Sequence, residues 1–308
     1  MTGQGAPTTT PEGLAERARP GPRRRLGGWL HRRPRLQLRL LLSGPLGWLA
    51  LAYLGALFIL LLNAFFAKDP FSGRVLPFQW SAAAFETLVS NPVYAIVALR
   101  TLTMAVLVTL TDLLLAFPIA YYMARVASPR VRRYMVVAVL IPLWAAYLVK
   151  VYSWRIILQN NGLADWLLAP LGLDGPGLAE VANTWLVLSY LWLPYMILPI
   201  YAGLERIPSS LLEASSDLGA RSLTTFRRVV VPLVLPAMVA GSIFTFSLTL
   251  GDYITPNLVS NAVFIGNVIY DNSANVNLPL AAAYALLPMT IMIVYLLVAR
   301  RLGAFDSL

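Results

Sequence analysis

Six runs of about 20 apolar residues, separated by short charged gaps, dominate the chain: 46–66, 101–123, 134–152, 184–204, 233–254 and 279–299. A helix of that length crosses roughly 30 Å of hydrocarbon. The runs are continuous rather than alternating, which favours spanning helices over a barrel. The fifth run, the weakest, carries one charge, Asp252, near its end. Pro118, Pro142, Pro194, Pro199, Pro236 and Pro288 fall inside runs. Such prolines are tolerated where neighbouring helices or water take up the freed carbonyls. Kinked helices suit a protein that changes shape, although proline is also simply commoner in membrane helices. The pattern predicts an all-α integral membrane protein with six transmembrane helices.

The gaps set the orientation. Nineteen basic residues gather on one side: nine arginines in residues 1–45, then Arg125, Arg130, Arg132 and Arg133, then Arg206, Arg221, Arg227 and Arg228, and last Arg300 and Arg301. The other side holds Lys68, Arg74, Arg100, Lys150 and Arg155. The positive-inside rule then puts both termini in the cytoplasm. Residues 1–45, rich in arginine and proline, read as a disordered basic arm. The apolar stretch after them is too long for a signal core and lacks a small-x-small cleavage site, so it reads as a first anchor.

Composition narrows the chemistry. Mean hydropathy is +0.68, with 58 % hydrophobic and 12 % charged residues, too apolar for a soluble globule. The net charge of +10 is divided among the gaps instead of forming a nucleic-acid-binding patch. There is no cysteine, and the single histidine, His31, lies in the basic arm. No thiol chemistry or metal site is expected. Lys68 and Lys150 follow Ala67 and Val149, so no phosphate loop exists, and no G-x-S-x-G elbow is present. The chain is not expected to be an enzyme or to hold a cofactor.

Residues 213–232, EASSDLGARSLTTFRRVVVP, form a polar interruption in the second cytoplasmic gap, 205–232. Ser210 and Glu213 have capping-box spacing after Pro208. Leu211, Ala214/Ser215 and Leu218 recur along one face, and Gly219 stands where a left-handed cap belongs. A second helix can begin at Ser222, with Leu223, Phe226 and Val230 on one face, and enter the fifth span at Pro232. Two short amphipathic helices around a glycine elbow need a place for their apolar face: lipid, the bundle, or a groove in another protein.

Glu213-Ala214, Gly219 six residues on, then Val229, Val231 and Pro232 resemble the EAA-type loop of the ABC-importer permeases, with Ser215 for the second alanine and valines for Ile and Leu. Pro118-Ile119-Ala120-Tyr121 with Ala124-Arg125 resembles the end of an early permease span. Residues 142–154, PLWAAYLVKVYSW, together with Gly251-Asp252-Tyr253, Pro256 and residues 265–269, IGNVI, resemble the spermidine/putrescine permeases. The similarity covers about 84–302. It implies the ABC type I importer permease fold, and a coupling loop docked on an ATPase through Leu212, Glu213, Ala214, Ser215, Asp217, Leu218, Gly219, Ala220, Phe226 and Pro232. It also implies partners: a second, different permease subunit, two cytoplasmic ATPase subunits that bind ATP and Mg, and an extracytoplasmic solute-binding protein, all at a bacterial inner membrane.

A polyamine site should pair carboxylates with aromatic faces. Asp252, Tyr253, Trp144, Tyr147, Tyr190, Trp192 and the deeper Asp112 are the candidates, with Tyr195 beside them. An interfacial aromatic belt and ordinary loop solvation account for the same residues. Lys150 and Arg155 fit contact with a binding protein or with lipid headgroups. Two other functions remain open: an importer permease for another solute, such as an amino-acid-like compound, an opine or a metal ion, and an ion-coupled carrier. For a carrier, Asp112 lacks a partner carboxylate in the spans.

Overall fold

The computed structural model describes residues 34–69, 74–159, 162–168, 180–260, 262–274 and 277–303. It divides into two compact units, Met1–Ile59 and Leu60–Leu308. The described part of the first is one helix, α1 (Pro34–Leu49), which passes through a π-helical turn at Ala50–Leu54 into α2 (Gly55–Asn63). Residues 34–45, expected to belong to a disordered arm, are helical here. The stretch PRLQLRLLLSGPLGWL is rich in leucine, a strong helix former. Residues 1–33 lie outside the described residues.

The second unit opens on a feature the sequence reading lacked, a hairpin of β1 (Phe66–Lys68) and β2 (Val75–Trp80). It pairs Ala67 with Leu76 and Lys68 with Val75, and a register shift follows Phe66. Helix α3 (Ala83–Ser90) leads to α4 (Pro92–Tyr121), whose first turn is capped by Asn91 and which a π turn extends through Tyr122–Val126. Next come α5 (Pro129–Trp144), α6 (Tyr147–Leu158), α7 (Leu163–Leu168) and α8 (Glu180–Glu205). The cytoplasmic elbow holds α9 (Ser209–Asp217) and α10 (Ser222–Thr225), and a π turn at Phe226–Val230 joins it to α11 (Val231–Gly251). Short α12 (Ile254–Val259) and α13 (Ile265–Ala274) precede the last span, α14 (Leu278–Arg301).

Five stretches are long and apolar enough to span: Leu41–Asn63, Pro92–Val126, Val181–Glu205, Ser222–Gly251 and Leu278–Arg301. The expected third span, 134–152, is not one straight helix. It is the pair α5 and α6, bent by 92°. Ala145 and Ala146 leave the helix for extended backbone. The carbonyl of Pro142 thereby loses its helical partner, and the Lys150 ammonium donates to it at 3.1 Å. Lys150 therefore serves the fold at a helix end. The bent pair counts as the sixth crossing, because basic residues 125–133 and 206–228 can share one side only if the chain crosses twice between them.

Helices α4, α8 and α11 pack on one another and form the centre of the second unit. Toward the cytoplasm Ala116, Ala120, Met196, Ile200 and Val234 are fully buried among them. In the outer half Met104, Val108, Val151, Leu188 and Phe264 form a second cluster. Helix α14 closes one side, where Tyr284 donates to the carbonyl of Tyr94 at 2.7 Å and Tyr295 donates to Ser242 at 2.8 Å. The α8–α11 approach depends on Gly203, since a Cβ there would lie 2.6 Å from the Cβ of Ala237.

Gly203→Leu should destabilise the bundle by about 1–3 kcal/mol through overpacking. Gly47→Ala, where a Cβ meets open space, should be neutral or slightly stabilising. Thermal unfolding in detergent separates the two, and equal midpoints would contradict this packing.

Candidate functional site: a cytoplasmic elbow and an outer aromatic cavity

The elbow is fixed first by backbone chemistry. Helix α9 starts at Ser209 with Pro208 as its N-cap, and no side chain caps it. The expected capping box from Ser210 to Glu213 does not form, because Ser210 is already inside the helix. The other end matches expectation. Gly219 has φ +74, in the left-handed region that favours glycine. The amide of Ala220 donates to the carbonyl of Ser215 at 3.1 Å, and that of Gly219 to Ser216 at 2.8 Å. This pair of bonds is a Schellman cap. The hydroxyls of Ser215 and Thr225, 2.8 Å apart, tie the two arms of the elbow together.

The residues expected to dock divide between two faces. Leu212 and Phe226 turn inward onto the buried cluster of Met196, Ile200 and Val234. Phe226 sits edge-on to Phe117, with ring centroids 5.4 Å apart, and packs against Tyr121 as well. Ser215 and Ala220 are half-buried, while Glu213, Ala214, Asp217 and Gly219 are exposed. Leu218 is 88 % exposed and Leu211 is 44 % exposed. The outer face of the elbow is thus Leu211, Ala214 and Leu218 with two carboxylates beside them. Pro232 lies in the first turn of α11 and has no N–H to give to the ladder. The amide of Val231 reaches back to the carbonyl of Phe226, and the π turn results.

Two arginines that sequence reasoning treated only as topology signals brace this end. Arg125 donates to the carbonyls of Leu204 (2.6 Å) and Ile207 (2.7 Å), at and just beyond the end of α8. Arg132 donates to the carbonyls of Met123 (3.0 Å) and Ala124 (3.1 Å) and pairs with Glu205 at 3.2 Å. The Ala124-Arg125 motif was the available signal. Its role as a cap depends on which carbonyls α8 brings near.

On the outer side, a cavity of about 370 Å³ is lined by Tyr147, Trp192, Ser247, Leu248, Gly251, Asp252, Tyr253 and Ile254. Four candidates therefore meet: Asp252, Tyr253, Tyr147 and Trp192. Asp252 accepts from the Tyr147 hydroxyl at 2.6 Å and from Thr255 Oγ1 at 2.7 Å. It also accepts the amides of Ile254 (2.9 Å) and Thr255 (3.2 Å), so it caps α12. Trp192 stacks on Tyr147 at 5.9 Å, and Tyr253 on Tyr270 at 4.5 Å.

The other candidates stand apart. Trp144 is 89 % exposed at the end of α5, and Tyr190 packs edge-on against Trp154. Tyr195 contacts Trp192 and Phe244. Asp112 is fully buried between α4 and α8, with neither oxygen hydrogen-bonded. Asn267, within the IGNVI stretch, holds the cavity's rim. Its amide donates to the carbonyl of Tyr253 (2.9 Å) and to Asn257 (2.7 Å), and its oxygen accepts from the amide of Phe264 (3.0 Å).

With this geometry in view, residues 114–305 match the family of binding-protein-dependent transport system inner membrane components. The chain is 46 % identical over 301 residues to the inner membrane ABC transporter permease protein YdcU of Escherichia coli K12, covering 92 % of this chain and 95 % of that one. It is 30 % identical over 258 residues to the spermidine/putrescine transport system permease protein PotB of the same strain, covering 82 % and 92 %. A chain in the crystal structure of a bacterial alginate ABC transporter, in complex with alginate pentasaccharide-bound periplasmic protein, superposes with a TM-score of 0.68. That match covers 89 % of this chain and 96 % of that one at 18 % identity, and it speaks to the fold.

At Gly219 a Cβ would meet nothing within 4 Å, so a substitution there acts through backbone strain alone. Gly219→Ala should loosen the elbow by about 1–2 kcal/mol. Hydrogen exchange at the amides of Gly219 and Ala220 should accelerate while the spans stay protected, and unchanged exchange would refute the strain.

Proposed function

Because the chain belongs to the family of binding-protein-dependent transport system inner membrane components, and so is the permease subunit of an ABC importer and a multi-pass inner-membrane protein, we propose that its solute is a polyamine-like cation. The observation that carries this reading is the outer cavity, where the Asp252 carboxylate stands among the rings of Tyr147, Trp192 and Tyr253. An ammonium group is attracted both to a carboxylate and to aromatic faces. The name of PotB points the same way. Asp252 is already held by Tyr147, Thr255 and two amides. Those bonds hold its carboxyl in one orientation at the cavity wall.

The permease itself is not an enzyme, and hydrolysis falls to a partner. In the proposed assembly this chain pairs with a second, different permease, and a solute-binding protein delivers the amine. Two ATPase subunits hold ATP and Mg and grip the outer face of the elbow at Leu211, Ala214 and Leu218. When ATP draws the ATPases together, the elbow moves with them. Its motion enters α11 directly through α10, enters α8 through Pro208, and enters α4 through Phe226 against Phe117. These are the three helices at the centre of the bundle. Alternating access follows if they tilt as a set, and hydrolysis resets them. An ion-coupled carrier is set aside by the family assignment.

Two measurements test this. Leu218→Glu places a charge on the outer face without touching the bundle. It should abolish co-purification of the ATPase while insertion stays normal, and retention of the ATPase would remove the docking face. Labelled putrescine and spermidine should enter proteoliposomes holding the complete transporter, and Asp252→Asn should reduce that uptake about tenfold or more, the equivalent of ~1.4 kcal/mol. ATP-dependent uptake of an uncharged or anionic solute, with none of either amine, would keep the importer and overturn the solute.

A further inference from the structure

Three buried side chains keep polar atoms with no hydrogen-bond partner among the described residues: both oxygens of Asp112, the hydroxyl of Ser189 and the indole N–H of Trp192. They are 0 %, 7 % and 8 % exposed. An orphaned buried polar group costs about 1–3 kcal/mol, and an unpaired buried carboxylate several more.

The three are not scattered. Helices α4 and α8 both run inward from the outer side, in matched register. Trp185 donates to Thr111 at 3.0 Å, and further in Ala116 and Ala120 share a cluster with Met196 and Ile200. Asp112 falls in the layer between, level with Ser189, and Trp192 follows about one helical turn further along α8. The Ser189 hydroxyl faces its carboxyl without closing a hydrogen bond. The Asp112 oxygens and the Ser189 hydroxyl thus lie together and remain unspent.

Trp192 connects this layer to the outer cavity. Its ring is one of the cavity's walls, stacked on Tyr147 and edge-on to Tyr195. We propose that Asp112, Ser189 and Trp192 form an inner station for an ammonium group, closed off from the outer cavity in this conformation by the ring of Trp192. The solute class rests on the amine reading above. An ammonium has three donors and no acceptor. The two Asp112 oxygens and the Ser189 hydroxyl can accept them, and the face of Trp192 adds a cation–π contact. Rotation of the ring would open the way from Asp252, and the arriving ammonium would be the partner that the Asp112 carboxyl lacks at rest. Two carboxylate stations in series bind strongly enough to admit a cation and weakly enough to release it.

The chain contains no cysteine, so Ser189→Cys provides a single reporter thiol. It is labelled in the complete transporter in proteoliposomes and read by the mass of this chain. At rest, neither a cationic nor an anionic methanethiosulfonate should react. During ATP turnover the cationic reagent should react about tenfold faster than the anionic one, putrescine should suppress the reaction, and adding Asp112→Asn should erase the preference. Absence of labelling in every state, or a charge preference that survives Asp112→Asn, overturns the station. The reagent is its own cation, so a preference seen without amine transport would sink the solute reading and leave the station standing. If the Ser189→Cys variant does not assemble, Asp112→Asn alone should lower amine uptake about tenfold, with partial rescue by Asp112→Glu. Uptake at the parental rate would overturn the proposal.

Discussion

A backbone carbonyl or amide freed inside hydrocarbon must find a partner within the protein, and every irregularity of this bundle is organised around that requirement. The spans break or end where a particular side chain meets the freed groups. Lys150 caps Pro142 at the 92° bend. Asp252 takes the amides of Ile254 and Thr255 where α11 stops at Gly251, and Asn267 takes the carbonyl of Tyr253. Arg125 takes two carbonyls where α8 ends, and Arg132 takes two more at the π turn after α4. Several of this chain's scarce charged side chains are placed at these discontinuities.

These discontinuities also coincide with the sites. The outer cavity opens at the break held by Asp252, and the elbow begins where Arg125 ends α8. A regular helix presents a closed ladder, whereas a break presents polar groups and a change of direction. A cavity lined by Asp252 and Gly251 can exist only because α11 does not continue. The elbow can convey force to α4, α8 and α11 because Leu212 and Phe226 anchor it inward and leave Leu218 outside. The same residues therefore serve folding and function, and Asp252 is the clearest instance, as a helix cap whose charge remains available to a cavity.

Much of this was legible in the chain. Apolar run length located six spans, though not that the third of them is the bent pair α5 and α6. Gly219 announced its left-handed turn, since six residues of amphipathic spacing led to it and polar residues followed. What could not be read were the partners of freed carbonyls. Lys150, Arg125 and Arg132 count equally as topology signals in one dimension, and only the approach of α8 and the bend at Ala145–Ala146 reveal them as caps. Ser210 and Glu213 had capping-box spacing, yet the helix takes Pro208 as its N-cap, two residues earlier. Trp144 and Tyr190 had the right chemistry for a pathway, but helical phase turned them away from the cavity that Tyr147 and Trp192 share.

The two carboxylates illustrate what side-chain satisfaction means for a transporter. Asp252 is surrounded by donors and keeps one arrangement; it is an element of structure that also carries charge. Asp112 closes no hydrogen bond in this conformation, and neither does Ser189, which faces it, nor the indole of Trp192. A protein of fixed shape would gain by replacing such a layer with apolar side chains. A protein that alternates between shapes need satisfy those groups in only one of them. The unsatisfied layer between α4 and α8 therefore biases the bundle against staying closed, and the same two helices are those that the elbow reaches through Phe226 and Pro208. Polar dissatisfaction at the centre and mechanical attachment at the cytoplasmic end act on one pair of helices, which is the arrangement expected if that pair moves.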